Sequence, residues 1–215
     1  MSRDPLATGV DEVILGIPRH LALPAGPWTG LREFPSAVEG EREIDRLDAL
    51  MRARPRRELE MDPTWKQPIP YAVALHRPAG ASSGEVQLFW MDRLAGGSDR
   101  RLHGRASFGV GGHIAPSDGG IRVALAREWR EEVETPNLPT FTPLGMLNDD
   151  GDDVGRVHLG IVFVAWLEQP SISIRETHKL AGRLLPVSEA VRRSDELEGW
   201  SARLITSISV VAQRG

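Results

Sequence analysis

The stretch RVHLGIVFVAWL (156–167) is apolar at nearly every position rather than at every second one. A strand with one face in water alternates, whereas a strand without alternation is covered on both faces. A chain that contains one therefore has to lay helices on each side of its sheet, and the expected architecture is α/β, an α/β/α sandwich around a mixed sheet. Further strands are legible at YAVALHR (71–77) and EVQLFWMDR (85–93), separated by the turn-rich PAGASSG, then at HGRASFGVGGHI (103–114) and at 141–148. His158, inside the most apolar strand, reads as a hydrogen-bonded core histidine.

Residues 1–67 differ in composition, with prolines at 5, 18, 24, 27, 35, 55 and 63. They also hold a charged helical stretch from about Ala37 to Arg54, in which Ile44, Leu47, Leu50 and Met51 recur at helical spacing, so one face can dock. This segment reads as an N-terminal extension before a main domain at 68–215. Packing on that domain and service as a homodimer arm both stay open. Two helical segments, about 187–194 and 195–213, close the chain.

Between Gly111 and Glu132 a glycine-rich turn runs into a helix, expected over about 120–134, carrying Glu128, Glu131 and Glu132 behind Arg127. Carboxylates at i, i+3 and i+4 share one face and repel one another, which favours a cation to neutralise them. An ordinary solvated helix can read the same way. The preceding loop tips the balance, because Gly109, Gly111, Gly112, Gly119 and Gly120 give backbone that can turn sharply and approach a ligand closely. Hard divalent ions such as Mg²⁺ or Mn²⁺ take such oxygen ligands and keep waters and substrate phosphates in their other positions.

Here the chain resembles the Nudix (MutT-like) hydrolases, whose signature is G-x5-E-x7-R-E-U-x-E-E-x-G-U, with U a bulky apolar residue. Gly112 matches the first glycine, and Arg127-Glu128-Trp129-Arg130-Glu131-Glu132 matches the R-E-U-x-E-E core. Asp118 stands in place of the early glutamate, eight rather than seven residues separate it from Arg127, and Glu134 and Thr135 replace the final pair. More loosely, 62–75, 101–114, 144–163 and the tail ELEGWSARL look like a bacterial branch labelled phosphoesterase.

The resemblance implies metal ligation by Glu128, Glu131 and Glu132, with Gly112 adding a backbone carbonyl. It also implies catalytic roles for Glu131, for Arg127 as the orienting partner of a carboxylate, for Asp118 in the early acid's place, and for Glu176 as a base supplied from a later loop. Trp129, at the apolar place, is expected in the core. Near the glycine strand, Lys66, His103, Arg105 and His113 are candidate phosphate contacts. The acidic run 148–153 reads mostly as a solvated turn, because the twelve-residue calcium-loop pattern fails without a glycine at its sixth place. Trp28 and Trp65 are candidate lid or stacking residues.

Composition narrows the partners. Twenty-six Lys and Arg against 30 Asp and Glu give a net charge of −4, which argues against a nucleic-acid polymer or an anionic membrane but not against a small phosphorylated molecule. With no cysteine, thiolate chemistry and disulfides are excluded. The N-terminus lacks the basic-then-apolar order of a secretory signal, and a cytoplasmic location is expected. The expected function is divalent-metal-dependent hydrolysis of a phosphoanhydride in a nucleoside diphosphate linked to another group; the alternative is a Nudix-fold binding module without turnover.

Overall fold

The computed structural model describes residues 12–80, 85–94, 105–175, 177 and 180–214. The chain begins with β1 (Val13–Pro18), α1 (Arg19–Ala22), β2 (Gly30–Glu33), α2 (Ala37–Leu50), β3 (Arg52–Pro55) and α3 (Arg56–Met61). The strands β4 (Trp65–His76), β5 (Gln87–Arg93), β6 (Ala106–Ser107) and β7 (Gly109–Gly111) then lead through a 3₁₀ turn at Pro116–Asp118 into α4 (Ile121–Glu132). After it come β8 (Val133–Glu134), β9 (Phe141–Asn148), α5 (Asp153–Val157), β10 (His158–Leu167), β11 (Ser173–Ile174) and β12 (Leu180–Pro186). Helices α6 (Val187–Arg192) and α7 (Gly199–Arg214) finish it.

The main sheet runs β12-β5-β4-β10-β9-β2. It is mixed, since β10 lies parallel to β4 from His158↔Gln67 to Leu167↔His76 while its other neighbour, β9, is antiparallel. As expected of a strand without alternation, β10 is covered on both faces. Leu159, Ile161, Phe163 and Ala165 join one core with Leu125 and Trp129 of α4, and Val162 and Val164 join another with Leu204 and Ile208 of α7. Burial of each large side chain contributes roughly 1.5–3 kcal/mol, so helices on both faces are strongly favoured. This is the expected α/β/α sandwich.

The site is positioned by a split in the sheet. Strands β4 and β5 pair only at Leu75↔Leu88 and His76↔Gln87 and then part. The wedge is filled by β6, against Met91 and Asp92, and by β7, against Tyr71 to Val73. Glycine is obligatory in β7, because a Cβ on Gly111 would sit 1.9 Å from the Pro70 carbonyl oxygen and one on Gly109 1.7 Å from the Tyr71 ring.

The segment before β4 is built into this frame. Strand β1 pairs with β3 and, at Ile17↔Lys66, with β4, and β2 lies on the sheet edge against β9. Ile44 and Leu47 of α2, with Met51 just past its end, enter the same core as α4. Helix α2 also reaches the first turn of α4, where the amide of Ile121 donates to Asp48 Oδ1 at 2.9 Å and Arg122 pairs with Glu41. Asp48 thus supplies the capping acceptor that Gly120, at the N-cap position, lacks. Among the described residues no helix is long and apolar enough to cross a membrane.

Candidate active site

Helix α4 buries Ile121, Ala124, Leu125 and Trp129, which turns Arg127, Glu128 and Glu131 toward the glycine loop. The Arg127 guanidinium is the hub of this cluster. It forms a fork with Asp118, Nε to Oδ1 and Nη2 to Oδ2, both at 2.9 Å. Nη2 also donates to the His113 carbonyl at 2.9 Å, and Nη1 to Glu128 Oε1 at 2.8 Å and Glu131 Oε2 at 3.1 Å. One side chain therefore ties the helix, the loop and the 3₁₀ turn together.

The electrostatics follow from those contacts. Hydrogen bonds from Arg127 hold the Asp118 carboxyl below the usual carboxylate range, and the guanidinium is itself held more firmly charged. Burial pushes Glu128 up, against the opposing effect of Arg127. The Glu128 carboxyl packs on the backbone of Gly112, where a Cβ would come within 2.5 Å of it, so a side chain at this position would displace the carboxylate. Glu132 lies at the helix end in the wall of a cavity of about 1020 Å³, together with Gly109, Gly111 and Val133. Glu128 and Glu131 turn to Arg127 rather than to Glu132, and among the described residues no three carboxylates or imidazoles converge as a ready metal cage.

Several candidates from the sequence serve the architecture instead. Lys66 is fully buried, and its ammonium donates to Asp150 Oδ1 at 2.9 Å, the Gly155 carbonyl at 2.9 Å and the His158 carbonyl at 3.0 Å. All three donors are taken, so its assignment as a phosphate contact is corrected. Arg105 donates to the carbonyls of Asp195 and Leu197, at 3.0 and 2.7 Å, and fixes the chain ahead of α7 rather than facing the loop. The His113 ring meets Gln67 Oε1 at 2.9 Å and His158 Nε2 at 3.2 Å, and burial lowers its pKa to about 4. A ring neutral at pH 7 supplies no cation for a phosphate. His103 and Glu176 lie outside the described residues.

In the acidic run, Asp150 accepts from Lys66 and Arg19, Asp149 from Arg203, and Asp152 caps α5. Trp28 and Trp65 each carry a guanidinium over the ring, Arg32 at 4.1 Å and Arg54 at 4.8 Å, so neither presents that face to a ligand. Sequence reasoning assigned no role to Arg93, Glu198 and Trp200, which meet in the wall of the same cavity as Glu132. The available signal was Glu198-Gly199-Trp200, an acid and a large aromatic around a glycine at a helix start.

A mixed sheet between helical layers, with a glycine strand feeding a helix whose Arg127 gathers the signature acids, defines the class: the chain belongs to the Nudix hydrolase family. It is 31% identical over 204 residues to Protein YmaB of Bacillus subtilis (strain 168), covering 89% of this chain and 95% of that one. The crystal structure of Tm1382, described as a Nudix hydrolase, matches at a TM-score of 0.74 with 26% identity, over 93% of this chain and all (100%) of that one. The Nudix domain of Shewanella oneidensis NrtR, complexed with ADP ribose, shares the fold at a TM-score of 0.52 and 12% identity, over 70% of this chain and 89% of that one. No family model matches the chain.

Proposed function

We propose that this protein is a divalent-metal-dependent hydrolase of phosphoanhydride bonds, acting on a nucleoside diphosphate linked to a second group. The observation that carries the reading is an imbalance of charge. At the mouth of the glycine loop one guanidinium faces three carboxylates, Asp118, Glu128 and Glu131, and Glu132 stands in the adjoining cavity wall.

The residues fit Mg²⁺ or Mn²⁺ on chemical grounds. Their donors are all oxygens, and Glu128 is desolvated against a glycine backbone, where a cation would offset the cost of its charge. Glu128, Glu131, Glu132 and the Gly112 carbonyl would hold the ion. When bound, it neutralises phosphate oxygens and lowers the pKa of a water. Arg127 holds Glu128 and Glu131 in register, and Asp118 acts through Arg127, since the guanidinium engages both of its oxygens. One fold relative binds ADP ribose and another is the C. elegans Ap4A hydrolase, ligands of the proposed chemical class.

The second reading, a binding module without turnover, is favoured by one feature. The acid in the early glutamate's place is the shorter Asp118, and it is occupied by Arg127. The two readings separate in a phosphate-release screen with Mg²⁺ and Mn²⁺ over nucleoside diphosphate derivatives, run beside Glu131→Gln and Glu132→Gln. Turnover of one compound class that falls about 10²-fold or more in the variants supports the hydrolase. Ligand binding without turnover supports the module.

A further inference from the structure

Arg127 gathers Asp118, Glu128 and Glu131, whereas Glu132 stands at the point where α4 ends. The helix stops there because Val133 turns to extended backbone, at φ −129° and ψ 160°, and enters β8. In the ladder with β11, Val133 faces Ile174 and Glu134 faces Ser173. The Arg175 amide closes that ladder by donating to the Glu132 carbonyl at 2.9 Å. Hydrogen-bonded and non-hydrogen-bonded pairs alternate along an antiparallel ladder, so the next pair, Val133 and Ile174, turns its carbonyls away from the partner backbone. The Val133 carbonyl is met instead by the Arg175 side chain, whose Nε donates to it at 3.2 Å.

One residue thus satisfies two consecutive carbonyls at the end of α4. The last carbonyls of a helix lack partners within it and carry the negative end of its dipole. A carboxylate is disfavoured at that end, yet Glu131 and Glu132 both occupy the last turn of α4. A guanidinium bonded there offsets part of the cost. The ladder itself is anchored by apolar contact, since Val133 and Ile174 are buried in the core that holds Trp129 and Phe89. Glu132, Val133 and Ile174 together form part of the wall of the 1020 Å³ cavity. The Arg175 side chain is exposed, so it adds nothing to that core and its role is confined to the carbonyls it meets.

We infer that Arg175 is the positioning residue for Glu132: it fixes where α4 ends, and with it the place of the Glu132 carboxylate in the cavity wall. Successive helical residues are rotated by about 100°, so a last turn that frays or slips by one residue carries its side chain away from that wall. Two arginines divide the signature acids, Arg127 holding Glu128 and Glu131 by their carboxylates and Arg175 holding Glu132 by its main chain. This rests on the reading of Glu132 as a ligand of the divalent ion.

The test is a calorimetric titration of the full chain with Mn²⁺, in wild type, Arg175→Ala, Arg175→Lys, Glu132→Gln and the double variant of Arg175→Ala with Glu132→Gln. Hydrogen-exchange protection of the amides at positions 133 and 175 is measured beside it. We expect Arg175→Ala to weaken Mn²⁺ binding about 10-fold and to lower protection of both amides, with the β10 amides and the unfolding midpoint as in wild type. Arg175→Lys, which keeps a cationic donor, should stay within about 2-fold of wild type. With Glu132→Gln already present, Arg175→Ala should weaken Mn²⁺ no further, because its effect passes through that carboxylate. A cation that merely lay nearby would repel the ion, so its removal would tighten binding. Equal or tighter affinity in Arg175→Ala, or the same loss with and without Glu132, overturns the assignment. The metal reading fails separately, if wild type itself binds no Mn²⁺. Amide protection then decides on Arg175 alone: its loss on truncation supports the hold on the end of α4, and unchanged protection overturns it.

Discussion

Two of the cation-centred clusters among the described residues, those of Lys66 and Arg127, differ in which charge is in excess. Around Lys66, two cations share Asp150, and the remaining donors end on main-chain carbonyls of Gly155, His158 and Arg156. Around Arg127, one cation faces three carboxylates. A buried charge whose partners are all internal holds elements together, whereas excess like charge, which costs the folded state, points to a partner that arrives later. The sequence presents both as lysine or arginine near acids; a count of donors against acceptors separates them.

The largest expected effect comes from Arg127→Ala. It leaves Asp118, whose side chain is 5% exposed, with the Ala115 amide as its remaining donor, and it lets Glu128 and Glu131 drift. We expect a loss of about 2 kcal/mol in denaturant unfolding and about 10²-fold in turnover. Lys66→Met should cost about 3 kcal/mol, because Asp150 and two carbonyls lose a buried donor, yet keep turnover per folded molecule within about 2-fold. If Lys66→Met abolished turnover at unchanged stability, the contrast between the clusters would collapse.

Smaller effects sharpen it. Asp48→Ala removes the cap of α4 and should cost about 1 kcal/mol, while Asp48→Asn, which can still accept from Ile121, should stay within a few tenths. Equal losses in the two would mean that charge rather than capping is at work. The pH effect is of the same order. His113 is held neutral down to about pH 4, whereas in an unfolded chain it protonates near 6.5, so the unfolded state binds more protons between those values. Stability should therefore fall as pH drops from 7.5 to 5.5, by on the order of 1 kcal/mol, and His113→Asn should flatten the slope. His158, also pushed down by burial, adds in the same direction. Asp118 acts elsewhere: its depressed carboxyl stabilises above about pH 4 and loses that contribution as pH falls through its lowered folded value.

Strands with one dominant signal were legible. The segment 141–148 is β9, and the apolar run 156–167 contains β10. Where a neighbour decides, periodicity misled. The helix expected to reach Arg54 stops at Leu50 because Arg52–Pro55 are drawn into pairing with β1. Helix α4 gives up Val133 and Glu134 to a two-stranded ladder with Ser173 and Ile174. The glycine stretch is two strands rather than one, since the Phe108 amide turns away to Ser201. The signature was readable because its spacing is local. Lys66 and Arg105 were misread because their acceptors lie about 90 residues away, and Trp200 was passed over because only the fold brings it to the cavity of Glu132.

The cap on α4 also has a consequence in time. Asp48 leaves the ribosome 73 residues before the amide it serves, so the acceptor exists long before the helix does. A helix whose first turn is closed by so distant a residue cannot be completed by local propensity, and closing that loop costs chain entropy before the contact offsets it. In refolding, protection of the α4 amides should therefore appear together with docking of α2, as one late cooperative event.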